Sequence, residues 1–131
     1  MDNLKIICPG KPEYMTMIRL ATGSLAAQAG LDLDAVEDIK MAVFEACKNV
    51  SCHQRDGYSD KYEIEFCVGD GVIEVTVCDA CDKHTLEKSK KCKLCPQEGD
   101  IGSIMIRSLV DCAEFGCNGE GHKFINMVKR I

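Results

Sequence analysis

The sequence has no tryptophan, only three prolines and few aromatic residues of any kind, 5% of the chain. Packing must therefore come from aliphatic side chains. With 46% of 131 residues apolar, there are enough of them to fill one ordinary domain, read here as spanning 1–131. No apolar run is long enough for a membrane helix, so no membrane association is expected. The first ten residues place acid before base and hold only a short apolar run at 6–8, unlike a secretory leader. A cytoplasmic protein is the expectation. An excess of positive charge is also lacking. A net charge of −5 provides no basic field, so direct nucleic-acid binding is not expected. The local exception is the run of Lys83, Lys88, Lys90, Lys91 and Lys93.

Cysteine, by contrast, is abundant, with ten in the chain. A reducing compartment argues against a disulfide scaffold. Cys47, Cys67 and Cys112 fall within regular apolar patterns, where cysteine acts as a small hydrophobe. Four others form two pairs, Cys78-x-x-Cys81 and Cys92-x-x-Cys95, with ten residues between them. Four thiolates satisfy a tetrahedral ion, so bound zinc, an iron–sulfur group or a redox-active pair is one reading; plain reduced thiols are the other. The gap is shorter than the commonest zinc-ribbon spacing, and His84 is a spare ligand.

Periodicity orders the elements. Residues 4–8 read as a strand stopped by Pro9 and Gly10. Residues 13–29 read as a helix with Met17, Leu20, Ala21, Ser24 and Leu25 at helical spacing, ended by Gly30 in a positive-φ cap. A second helix over 35–53 has a capping-box spacing at Asp34 and Glu37 and a stripe of Val36, Ile39, Val43, Phe44, Cys47 and Val50. Strands over 61–68 and 72–78 alternate about a Gly69-Asp70-Gly71 turn. Residues 80–98 read as a long loop, a length that usually carries function. A third helix over 102–112 should bury Ile104, Met105, Leu109 and Cys112, and 113–117 should pair with 122–131 as a final hairpin. The fold class is α+β, a two-layer sandwich with helices on one face of a mixed or antiparallel sheet.

On the second helix Glu45, Asn49 and His53 are spaced i, i+4, i+8 and share one edge beside the apolar stripe. An amide oxygen is a hard ligand suited to magnesium, and a carboxylate one turn away can deprotonate a hydroxyl. The same triplet also occurs on ordinary solvated helix edges.

The stretch 37–50, EDIKMAVFEACKNV, closely resembles the N-box helix of RsbW and SpoIIAB type anti-sigma factors, with their Bergerat, histidine-kinase-like ATPase fold. The opening Pro12-Glu13-Tyr14, the Ile18-Arg19-Leu20 helix segment and the closing strand from Phe124 to Lys129 resemble the same family. The resemblance implies a homodimer that binds a sigma factor and, using ATP with magnesium, phosphorylates a serine on a STAS-fold anti-anti-sigma partner. It implies Glu45 as base, Asn49 as magnesium ligand, Asp79 as the adenine-binding aspartate and Arg19 as a partner contact.

The chain departs from the family's pattern at the glycine boxes. The first reads Asp79-Ala80-Cys81-Asp82-Lys83, with Cys81 and Lys83 where the family has glycine; the second keeps only Gly102, preceded by Asp100. Cys81, Lys83 and Gly102 are thus the remaining nucleotide-facing positions, with the loop lysines as a source of charge for phosphate. The alternative is a non-catalytic binding module of the same fold, tuned by a metal or thiol pair at the cysteines.

Overall fold

The computed structural model of the chain describes residues 1–50, 61–80, 101–119 and 122–131. Its elements follow in the order β1 (Asp2–Pro9), α1 (Pro12–Gln28), α2 (Leu33–Val50), β2 (Lys61–Gly69), β3 (Val72–Asp79), α3 (Ile101–Leu109), β4 (Cys112–Cys117) and β5 (Lys123–Arg130). The five strands form one sheet in the order β1-β2-β3-β5-β4. Every pairing is antiparallel.

Strict alternation gives the sheet two unlike faces. Tyr62, Ile64 and Phe66 of β2, Ile73, Val75 and Val77 of β3, and Ile125 and Met127 of β5 are buried in one core with the three helices. The opposite face is polar and carries no helix among the described residues. There Lys5 bridges Glu63 and Glu65, and Asn126 donates to Glu74 (2.9 Å) and Thr76 (2.8 Å). The central element is α2, which packs against α1, α3 and the sheet. Its Ile39, Val43 and Val50 are fully buried, each contributing about 1.5–3 kcal/mol by removal from water.

The turns follow local chemistry. Gly30 closes α1 with φ 94°, and Leu31 N–H donates to Ala26 O at 3.2 Å in the helix-ending pattern that favours glycine. Gly71 takes φ 77° in the two-residue β2–β3 hairpin. The β4–β5 connection is held by Asn118, whose Oδ1 accepts from His122 N–H at 3.0 Å.

Four sequence expectations are corrected. First, the buried stripe of α1 is Met15, Ile18, Thr22, Gly23 and Ala26, not the predicted one; Leu20 is 65% exposed and Met17 and Ser24 also face outward. This stripe is apolar only in part. Thr22 neutralises its hydroxyl by donating to Ile18 O at 2.7 Å, and Gly23 lets the Lys40 stem pass close by. Second, the cap of α2 is Asp32, whose Oδ1 accepts from Ala35 N–H at 2.9 Å, while Glu37 pairs with Lys40 at 3.2 Å. Third, α3 ends at Leu109, buries Ser103 and Ile106, and leaves Ile104 and Met105 exposed. Lys129 Nζ stops it by donating to Leu109 O at 2.8 Å. Fourth, Cys112 belongs to β4 and is exposed, so it is not a core hydrophobe. Cys67 is half-buried, on the polar face of the sheet.

Candidate functional site

The edge of α2 carrying Glu45 and Asn49 meets the first turn of α3. A Cβ added at Gly102 would lie 3.2 Å from Asn49 Nδ2 and 3.9 Å from Glu45 Oε2. A side chain here would make Asn49 withdraw by a few tenths of an ångström, and the Gly102 backbone is not in a positive-φ conformation. Asn49 is 9% exposed and Glu45 half-exposed, so Asn49 is nearly enclosed while Glu45 keeps access to solvent. The first turn of α3 carries no acidic residue. The first-turn N–H groups of any α-helix have no intrahelical acceptor, so a helix start beside the Glu45–Asn49 edge suits an anion.

Asp79 ends β3 on the helix-facing side, in register with Tyr62. The Tyr62 hydroxyl donates to Cys47 O at 2.8 Å. Cys47 lies between Glu45 and Asn49 in the chain, so this bond joins the sheet end carrying Asp79 to the α2 segment carrying the other two. Asp79 is 3% exposed, and its Oδ2 meets no hydrogen-bond donor among the described residues, although the carboxylate is engaged elsewhere. Burial pushes the Cys47 thiol far above its ordinary range, and the neighbouring Cys8 adds to this; Cys8 is itself raised by burial. Both behave as inert core groups.

Arg19 projects from α1 across to α2, its guanidinium 5.5 Å from the centroid of the Phe44 ring. Lys48 Nζ lies 4.9 Å from the same centroid. Phe44, expected only in the buried stripe of α2, is half-buried, and neither Lys48 nor Tyr62 stands out in the sequence. The i, i+4 spacing of Phe44 and Lys48 was the available signal; the Tyr62 bond spans elements and had none.

Of the paired cysteines only Cys78 is described. It lies on the face opposite Asp79, beside Asn118, whose Nδ2 donates to Cys78 Sγ at 3.6 Å. No group of three or more potential ligands for a metal occurs among the described residues. His53, Cys81, Lys83, His84, Cys92, Cys95, Asp100 and the loop lysines lie outside the described residues.

A family model described as a histidine kinase-like ATPase domain matches residues 8–129. The chain belongs to the histidine kinase-like ATPase family. Within that family it is 30% identical over 122 residues to the serine-protein kinase RsbW of Bacillus licheniformis, covering 84% of this chain and 75% of the relative. It is 31% identical over 121 residues to RsbW of Listeria monocytogenes, covering 84% and 76%. Similarity to RsbW of Bacillus pumilus extends over 131 residues at 30% identity, covering 90% and 80%. Among solved structures, the RsbU and RsbW domains of Rv1364c from Mycobacterium tuberculosis share the fold, with TM-score 0.66 and 19% identity; the match covers 99% of this chain but 32% of that longer one. The SiaB-SiaC complex from Pseudomonas aeruginosa shares it too, with TM-score 0.59, 15% identity and coverage of 98% and 89%. The family's antiparallel α+β architecture is the one described above. No helix among the described residues is long and apolar enough to cross a membrane.

Proposed function

We propose that this protein is a cytoplasmic, ATP-dependent serine kinase of the RsbW type, a homodimer that binds a sigma factor and phosphorylates a STAS-fold anti-anti-sigma partner. The observation that carries the reading is the convergence of Glu45, Asn49 and Gly102 at the start of α3. The residues present fit a magnesium nucleotide: a nearly enclosed amide, a first helical turn without an acidic side chain from Ile101 on, and a glycine whose Cβ would approach both Asn49 and Glu45. Asn49 would hold the magnesium ion, the first-turn amides of α3 the phosphates, and Asp79 the adenine edge. Bound Mg-ATP supplies a charge-neutralised γ-phosphoryl group for transfer.

Glu45 takes the proton from an incoming serine hydroxyl in this reading, and its half-exposed position leaves it open to a macromolecular substrate. Tyr62 fixes the α2 backbone between the two working side chains by its bond to Cys47 O. Arg19 is exposed on the adjoining helix and serves as a partner contact. A cysteine-bound zinc or iron–sulfur group gains no support from the described residues.

The test is transfer of label from Mg-ATP to a STAS-fold partner protein from the same genome. Wild-type protein should label a serine. Glu45→Gln should retain the nucleotide-induced rise in melting temperature and lose labelling by at least about a hundredfold. Wild-type rates in Glu45→Gln would remove the assigned base, and no nucleotide-induced rise in the wild type would remove the kinase reading.

A further inference from the structure

The Phe44 ring is held by two cations from different helices, Arg19 at 5.5 Å and Lys48 at 4.9 Å from its centroid. Both distances are within cation–π range. Residues 44 and 48 lie about 100° round α2 from Glu45 and Asn49, respectively. The two cations therefore lie on the side of α2 facing α1, on the same helix as Glu45 and Asn49, whose edge meets α3, in a chain whose net charge is −5.

Lys40 continues the line of residues 44 and 48 one turn earlier. Its stem lies against Gly23 of α1, and its ammonium is tied to Glu37 at 3.2 Å. Arg19 and Lys48 differ from it: among the described residues neither is held in a salt bridge. Two like charges on one ring repel each other, and an aromatic face compensates them less than a carboxylate does. An anionic segment passing both would relieve that repulsion. Leu20 and Met41, next in sequence to Arg19 and Lys40, are 65% and 51% exposed and add apolar surface along the same pair of helices.

We propose that Phe44 is a positioning residue and Lys48 a specificity residue for the protein substrate, holding with Arg19 a paired cation that selects a target serine flanked by acidic side chains. This rests on the kinase reading above and names the chemistry of the substrate it takes. The ring sets the spacing of the two charges, and the charges orient an acidic segment so that its serine reaches Glu45.

Fluorescence anisotropy of the full chain with two synthetic peptides tests this. Each peptide has one central serine, flanked by Asp and Glu in one and by Asn and Gln in the other. Wild-type protein should prefer the acidic peptide, and the preference should shrink as salt is raised. Lys48→Gln and Phe44→Leu should each weaken the acidic peptide by about three- to tenfold and leave the neutral one unchanged. Phe44→Tyr keeps the ring and should restore the preference, which a merely space-filling role would not require. If Phe44→Leu fails to fold, Lys48→Gln decides, because Lys48 is exposed.

Equal binding of both peptides by the wild type, or of neither, overturns the proposal. So does a Lys48→Gln variant that loses the Mg-ATP-induced rise in melting temperature but keeps the peptide preference, since the cations would then serve the nucleotide. An acidic preference in a protein that shows no response to Mg-ATP would sink the kinase reading and leave this surface standing.

Discussion

Gly102→Ala should separate stability from nucleotide binding. Alanine is the better helix former, and Gly102 lies in α3 without a positive φ, so the backbone accepts it. The propensity gain is up to about 1 kcal/mol, or a rise of up to about 4 °C in Tm for a domain of this size. The new Cβ, however, sits 3.2 Å from Asn49 Nδ2, tighter than ordinary contact, so the amide must withdraw by a few tenths of an ångström. It also fills the space toward Glu45 Oε2 at 3.9 Å. A tenfold loss of affinity is a reasonable scale for such an intrusion. At a nucleotide concentration of about 100 times the wild-type Kd, mass action then lowers the nucleotide-dependent stabilisation from about 2.7 to about 1.4 kcal/mol. Differential scanning fluorimetry with and without Mg-ATP reads both effects: a higher Tm for the free variant and a smaller nucleotide increment. An increment equal to that of the wild type would refute the placement of nucleotide at the start of α3.

Two further perturbations probe the frame of the site. Tyr62→Phe removes the hydroxyl that donates to Cys47 O at 2.8 Å in the buried core. Urea melts should show a loss of about 1–2 kcal/mol, with faster hydrogen exchange toward the C-terminal end of α2; unchanged exchange there would show that the bond does not anchor the helix. Cys47 gives a pH dependence whose sign follows from its raised pKa. Above about pH 8.5 the unfolded chain releases the thiol proton while the folded chain keeps it, so the folded state holds more protons and stability falls as pH rises. The slope is up to about 1.4 kcal/mol per pH unit for one such thiol. Cys47→Ala should flatten it, and an equally steep fall in that variant would assign the effect to other groups.

Period and turn chemistry made the order of elements readable, because the strands alternate and the glycines at 30 and 71 sit where positive φ is needed. The helices were harder. In α1 the apolar residues Met17 and Leu20 face outward, while a threonine, a glycine and an alanine contribute to the buried stripe. Hydropathy alone assigns the wrong face when close helix approach favours small residues. The same error recurs in α3, where Ser103 is buried and Ile104 exposed. At the candidate site, the shared edge of Glu45 and Asn49 was visible from spacing, and Gly102 from its resemblance to a glycine box. What spacing could not supply was the approach of α3 to that edge or the Tyr62 link, both of which depend on tertiary packing. The Phe44 platform spans two helices and was equally hidden, although half of it is an i, i+4 pair.

The most direct test of the account is calorimetric titration of wild-type protein and Asn49→Ala with ATP, in the presence of magnesium and again with a chelator. If the amide on α2 ligates the metal of a bound nucleotide, the wild type binds ATP far more tightly with magnesium, and the variant loses most of that difference. Magnesium-dependent affinity that is the same in both proteins would contradict it.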